Sequence, residues 1–134
     1  MNLFSKIRDH GIIESLNILF FGYIINRFIY YISCILPINK NLLVFESDGD
    51  LSDNAYAFFD YLVNEQYTQK YKVIWLVDDV NKSKKNKYYN VRYSKKSNKS
   101  FYPLTFYGLA RAKFYIYDHC NAYSAFHLHK RKKQ

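Results

Sequence analysis

Glycine and proline are scarce, with 4 Gly and 2 Pro in 134 residues. That excludes collagen-like repeats and flexible linkers, which are built from those residues. Two Cys exclude a disulfide-rich secreted scaffold and any four-cysteine zinc module. No Gly-x-Gly-x-x-Gly run and no Walker A run occurs, so neither Gly-rich device for cradling phosphates is present. Acids are few, 11 Asp and Glu against 20 Lys and Arg, for a formal net charge of +9. Aromatics are abundant instead. The 15 Tyr and 11 Phe exclude disorder throughout the chain. The length suits one domain in the usual range of roughly 100–200 residues. A chain near this size buries about 70% of its extended surface.

The charge is partitioned. Residues 1–40 carry a net +2, residues 41–80 a net −6, and residues 81–134 a net +13. An A+T-rich coding bias explains a surplus of Lys, Asn, Ile, Tyr and Phe. It does not explain this segregation.

Residues 1–14 form a short amphipathic opening, and residues 15–38 contain one charge, Arg27. Pro37 and Asn39 end the apolar run. Its length matches the ~20 residues that a spanning helix needs. A central Arg costs about 3 kcal/mol on insertion scales, which the apolar residues offset. A signal peptide fits less well, because the run is too long and has no A-x-A site. An interfacial or partner-packed helical hairpin and a buried core helix are the other readings. Phe20, Phe21, Tyr23, Arg27, Tyr30 and Tyr31 are the residues expected to meet a membrane, with the tyrosines at headgroup level.

Downstream, strands are expected over 42–46, 71–77, about 90–93 and 113–118, with helices over 53–65 and 101–112. Ser52 or Asp53 should cap the first helix, and Tyr56, Phe59, Tyr61 and Leu62 should form its apolar stripe. In the second, Leu104, Tyr107, Leu109 and Ala110 should face inward. Residues 71–77 are too apolar for a half-exposed strand and suit a parallel sheet covered on both faces. The alternation predicts an α/β fold with a Rossmann-like parallel sheet, preceded by the apolar helical segment. The expected division is 1–40 for the membrane-associating segment and 41–134 for the α/β domain.

Ligands of open parallel sheets bind beyond the carboxyl ends of the strands. One such loop holds Glu46, Ser47, Asp48, Gly49 and Asp50, with Ser52, Asp53 and Asn54 opening the next helix. A helix N-terminus can hold an anion, but the acids here argue against a phosphate. Asp78 and Asp79 end the second strand and suit a metal or a base, or simply water. Asp118, His119, Cys120 and Asn121 follow the last strand. Cys120, His127 and His129 match no zinc-module spacing and lack a fourth ligand. A Cys–His nucleophilic pair is equally unsupported, and Cys34 reads as packing or lipid-facing. No metal and no cofactor are expected. Tyr88, Tyr89, Tyr93, Phe101 and Tyr102 interleave with Lys and Arg, the composition of a stacking surface that tracks phosphates. Attraction to anionic lipid is the competing reading, and the apolar segment favours lipid over nucleic acid.

The run Asn41-Leu42-Leu43-Val44-Phe45-Glu46-Ser47, then Gly49, Ser52-Asp53-Asn54 and Phe59-Asp60-Tyr61-Leu62, resembles the start of the CDP-glycerol:poly(glycerophosphate) glycerophosphotransferase family. Tyr71 to Val77 is similar to its second strand, and Tyr107 to Asp118 to its "yyLarAkyvI.n" element. Lys130 to Gln134 resembles its "krk.Q".

The resemblance implies the N-terminal half of a GT-B fold. It implies transfer of a polyol phosphate from a CDP-alcohol to a teichoic-acid-like or capsular polymer at the cytoplasmic membrane face, peripheral or single-pass. The partners it implies are the membrane and a lipid-linked polyol-phosphate polymer, and the half present would face the acceptor. Ser47, Gly49, Ser52, Asp53 and Asn54 are the expected acceptor-binding residues. The family's Trp-His-Gly-x-Pro-Leu-Lys signature does not occur in these residues. No catalytic residue is assigned, His119, His127 and His129 included, and binding of CDP-glycerol would need the C-terminal half. The chain is therefore expected to be a truncated or split-gene piece, inactive alone. The alternatives are a basic non-enzymatic module that binds nucleic acid or anionic membrane, and a fragment of a nucleotide-sugar glycosyltransferase.

Overall fold

A computed structural model describes residues 11–96 and 102–118. A single long helix, α1 (Ile12–Ile35), opens the described chain and is wound as a π-helix over Ile18–Ile25. It ends because Leu36 is extended (ψ 149°), the conformation that a following proline, here Pro37, imposes. It is one continuous helix, not a hairpin.

Among the described residues seven further strands and α-helices follow, with a 3-10 turn (Tyr67–Gln69) before the second strand: β1 (Asn39–Glu46), α2 (Asp53–Asn64), β2 (Lys72–Val77), α3 (Val80–Ser83), β3 (Val91–Lys95), α4 (Pro103–Arg111) and β4 (Ala112–Tyr117). The four strands form one parallel sheet in the order β3-β2-β1-β4. The expected α/β parallel sheet is present, and α3 lies in what composition suggested was an exposed connection.

Strand side chains alternate between the two faces. Leu42, Val44, Ile74 and Leu76 face one core with Phe106, Leu109 and Ala110 of α4 and Tyr30 of α1. Leu43, Phe45, Val73, Trp75 and Val77 face the other, with Ala55, Phe59 and Leu62 of α2. Helices thus cover both faces, which is why the strands are almost uniformly apolar. The stripe of α2 is Ala55, Phe59 and Leu62. Tyr61, expected inside, is 52% exposed, since two residues beyond Phe59 is the far side of a 3.6-residue turn.

The second core is aromatic. Trp75 stacks on Phe45 at 5.3 Å and meets Phe59 edge-on at 5.7 Å, and Tyr88 meets Phe59 edge-on at 5.1 Å. On the other face α4 comes close to the sheet at Gly108. A Cβ there would lie 3.0 Å from Ile74 Cδ1 and 3.3 Å from Val44 Cγ2. Phe106, not singled out by the sequence pattern, is fully buried, while Leu104 and Tyr107 are half-buried against the same core.

Asn26, Tyr30 and Ser33 are the buried residues of the last turns of α1, at helical spacing, and this half of α1 packs along α4. The apolar segment and the α/β unit therefore share a core. Tyr30 was expected at headgroup level but is 1% exposed and sits in that core. Its place on the inward stripe turns it away from solvent. Phe20, Tyr23 and Tyr31 are exposed, Phe21 is half-buried, and Arg27 lies over the Tyr23 ring at 5.2 Å.

Candidate functional site

The carboxyl ends of the strands gather Glu46, Val77, Lys95 and Tyr117 along one edge. β2 and β3 are added on one side of β1 and β4 on the other, so the winding of the sheet switches sides at β1. The crevice beyond such a switch point is the usual ligand position in open α/β sheets.

The loop after β1 is tied down from within. Ser47 is fully buried. Its Oγ donates to Gly49 O at 2.5 Å and accepts from Ser52 N at 3.3 Å. Leu51 (φ 51°) and Asp53 (φ 57°) are both left-handed, a backbone state that costs non-glycine residues of order 1 kcal/mol or more. A Cβ at Gly49 would lie 2.9 Å from Ser52 Oγ, a hydroxyl that rotation about χ1 can move aside.

Two further loops close on this one. The Asp50 carboxylate accepts from the N–H groups of Asp78 (2.6 Å) and Asp79 (2.8 Å). Lys96 Nζ donates to Ser47 O at 2.6 Å and Asp48 O at 3.0 Å, and it pairs with Asp78 at 3.4 Å. Lys95 Nζ donates to Asp78 O. The Asp79 carboxylate accepts from Lys82 N at 2.9 Å as the cap of α3, and this bond holds its pKa below the usual carboxylate value. The Asp78–Asp79 pair is thus engaged within the protein. Among the described residues no group of three or more His, Cys, Asp or Glu could hold a metal ion.

Asp118 completes the edge. Its Oδ2 accepts from Ala55 N at 3.2 Å, within the first turn of α2. Ser52 stands at the N-cap position but makes no side-chain capping bond. The free N–H dipoles of that helix end, which attract anions, are met by the chain's own carboxylate. Asp118 Oδ1 is buried without a hydrogen-bond partner in the described structure. On the α4 side of the same edge, Tyr115 OH donates to Glu46, a carboxylate that is 2% exposed.

Of the five expected acceptor-binding residues, Gly49, Asp53 and Asn54 are exposed, Ser52 is half-buried and Ser47 is internal. The structure brings them together around the α2 N-terminus. It also places Asp48, Asp50, Asp53, Asp78, Asp79 and Asp118 on the same edge, so the lip is acidic. Lys96 was not singled out from sequence, because nothing in a run of basic residues marks the one that folds back. His119, Cys120, His127, His129 and Lys130 to Gln134 lie outside the described residues, as does Phe101.

The aromatics interleaved with basic residues divide. Tyr88 shares a hydrogen bond with Tyr56 (OH to OH, 3.3 Å), which together with burial pushes its pKa up to about 12. Tyr93 is buried, its hydroxyl donates to Asn86 O at 3.0 Å, and burial raises its pKa to about 12. Tyr89 is exposed, and Tyr102 is partly so.

Residues 28–134 match the family model of CDP-Glycerol:Poly(glycerophosphate) glycerophosphotransferase. The chain belongs to that family. No curated protein and no solved structure gives a significant match. The matched region begins inside α1 and runs through the whole sheet, so the glycerophosphotransferase match includes the packed half of the apolar helix. The helix is also long and apolar enough to cross a membrane.

Proposed function

We propose that this chain is the acceptor-side α/β unit of a glycerophosphotransferase with a GT-B architecture, seated on the cytoplasmic face of the membrane. It presents a lipid-linked polyol-phosphate polymer, of teichoic-acid or capsular type, for transfer from a CDP-alcohol. The observation that carries this reading is the family match over residues 28–134 on a body whose α1 turns an apolar face outward.

That face includes Ile13, Leu16, Phe20, Ile24, Phe28, Tyr31 and Ile35, all exposed. Between Ser15 and Phe45 the chain carries Arg27 and Lys40 and no acid, a balance that suits anionic headgroups at about 1 kcal/mol per nearby cation. Crossing the bilayer would strip α1 from α4, uncover Phe106, Leu109 and Ala110, and carry Asn26 and Arg27 into hydrocarbon. Lying in the interface keeps these contacts. An in-plane helix is therefore favoured over a spanning one.

Flotation with anionic vesicles tests the reading. The chain should float, and it should leave the vesicles in alkaline carbonate. Retention after carbonate would establish spanning and sink the in-plane reading. Failure to float at all would remove the membrane from the proposal. The signature His motif is not among these residues, so the chain by itself should not turn over CDP-glycerol. Measurable turnover would overturn the acceptor-side assignment.

A further inference from the structure

The acceptor of the proposed function is a polyanion, and the expected acceptor residues stand on an acidic lip. Six carboxylates against Lys95 and Lys96 leave that lip net negative, which disfavours a polyphosphodiester chain. Its natural place is where the charge has the opposite sign. From Val80 to Tyr117 the sequence contains no acid. Lys82, Lys84, Lys85, Lys87 and Arg92 are exposed, and all lie on α3, on β3 or on the chain between them. β3 ends the described sheet, so this stretch forms one flank of the domain.

Two cavities border β3. One, of about 440 Å³, opens at the carboxyl end of β3 and is lined by Lys84, Ser94, Lys95, Tyr102 and the start of α4. Asp79 also borders it, with its carboxylate engaged by Lys82 N. The other, of about 320 Å³, lies towards the amino ends of the strands and reaches from β3 across β2 to β1, lined by Asn39, Leu42, Lys72, Asn90, Arg92 and Tyr107. Both share β3 and Leu104. Each cavity is thus bordered by cations, and Lys85 and Lys87 are exposed on the stretch of chain that joins Lys84 to Arg92.

We infer that the α3–β3 flank, not the loop after β1, is the track that holds the phosphodiester backbone of the acceptor polymer. This inference rests on the acceptor reading above and names the surface that serves it. A base-bearing polyanion fits less well. Tolerant single-strand binding needs aromatic faces for the bases; here Tyr88 and Tyr93 are spent in the core through Phe59, Tyr56 and Asn86, which leaves Tyr89 and the partly exposed Tyr102 and Tyr107 as the rings on this flank. A polyol-phosphate chain needs cations and hydroxyl partners and no stacking platform.

The test is a titration of the full chain with lipid-free poly(glycerol phosphate) and with a single-stranded oligonucleotide of equal phosphate number, at several salt concentrations. The variant is the quadruple K82Q/K84Q/K85Q/K87Q, whose side chains are all exposed. Its urea unfolding is measured in parallel, and a retained fold is expected. The polymer should bind more tightly than the oligonucleotide. The variant should lose about tenfold or more in polymer affinity, with a shallower salt dependence, because fewer counterions are released. Unchanged polymer binding by the folded variant would overturn the track while leaving the acceptor reading intact. Tighter binding of the oligonucleotide would overturn the choice of polymer. No polymer binding by the wild-type chain at low salt would bring down the acceptor reading itself, and the track with it.

Discussion

Asp118, just past the end of β4, holds the first turn of α2 through the backbone N–H of Ala55, at 3.2 Å. The two residues are 63 positions apart in sequence, and the bond bridges the switch point between β1 and β4. A carboxylate in this position does the work of an N-cap. Loss of such a cap costs about 0.5–2 kcal/mol. Asp118→Ala should therefore lower the unfolding free energy by an amount in that range, read as a lower urea midpoint with an unchanged slope. Ser52→Ala should change it less, because the Ser52 side chain makes no capping bond. A larger loss from Ser52→Ala would contradict the assignment of the cap.

Two aromatic residues of α1, two positions apart, separate packing from membrane contact. Tyr30 is 1% exposed in the core, and Phe28 is 62% exposed. Truncation of a large buried aromatic costs about 3–5 kcal/mol. Tyr30→Ala should destabilise the domain by roughly that amount, measured by urea unfolding. Phe28→Ala should leave stability within about 0.5 kcal/mol, as an exposed substitution does, and weaken vesicle flotation. Equal effects of the two variants on stability would mean that α1 is more deeply packed than its exposure indicates.

The parallel sheet was legible because its signal is local. Leu42 to Phe45 and Val73 to Val77 are apolar on both faces, and only a doubly covered strand tolerates that. The inward face of α1 was not legible. Residues 15–38 are apolar around the whole helix, so periodicity could not tell Tyr30 from Tyr31. The inward stripe includes Asn26 and Ser33, which a hydrophobic pattern leaves out. The site was half legible. Strand ends and turn residues announced the loop after β1, but Asp118 to Ala55 and Lys96 to Ser47 are bonds across 63 and 49 positions. No local rule reaches that far. The cationic flank was visible as composition, and the burial of Tyr88 and Tyr93, which shrinks the stacking surface to Tyr89, Tyr102 and Tyr107, was not.

Gly108 tests how closely α4 lies on the sheet. Alanine at an ordinary helix position would gain nearly 1 kcal/mol over glycine. Here the added Cβ meets Ile74 Cδ1 at 3.0 Å and Val44 Cγ2 at 3.3 Å, so that gain should be cancelled. Gly108→Ala is expected to be neutral or slightly destabilising by thermal melting. Gly108→Val adds two methyl groups and a β-branch at the same contact. It should cost about 1–3 kcal/mol, the range for overpacked cores. Clear stabilisation by Gly108→Ala would show that the sheet yields at this point.

Alkaline pH should loosen the second core. Tyr88 and Tyr93 have pKa values raised from 10.0 to about 12, Tyr88 first through its hydrogen bond to Tyr56 and Tyr93 first through burial. Between those values the unfolded chain loses the phenolic protons and the folded chain keeps them. The unfolded state then binds fewer protons, so stability falls as pH rises. The contribution is fully present below about pH 10 and is lost towards pH 12. Absorbance at 295 nm should show at least these two phenols titrating late. In Tyr93→Phe one of them should disappear, and stability should decline less steeply between pH 10 and 12. The variant should also be less stable at pH 8, because Asn86 O loses its donor. A Tyr93→Phe titration with both late phenols still present would show that Tyr93 is not one of the shifted groups.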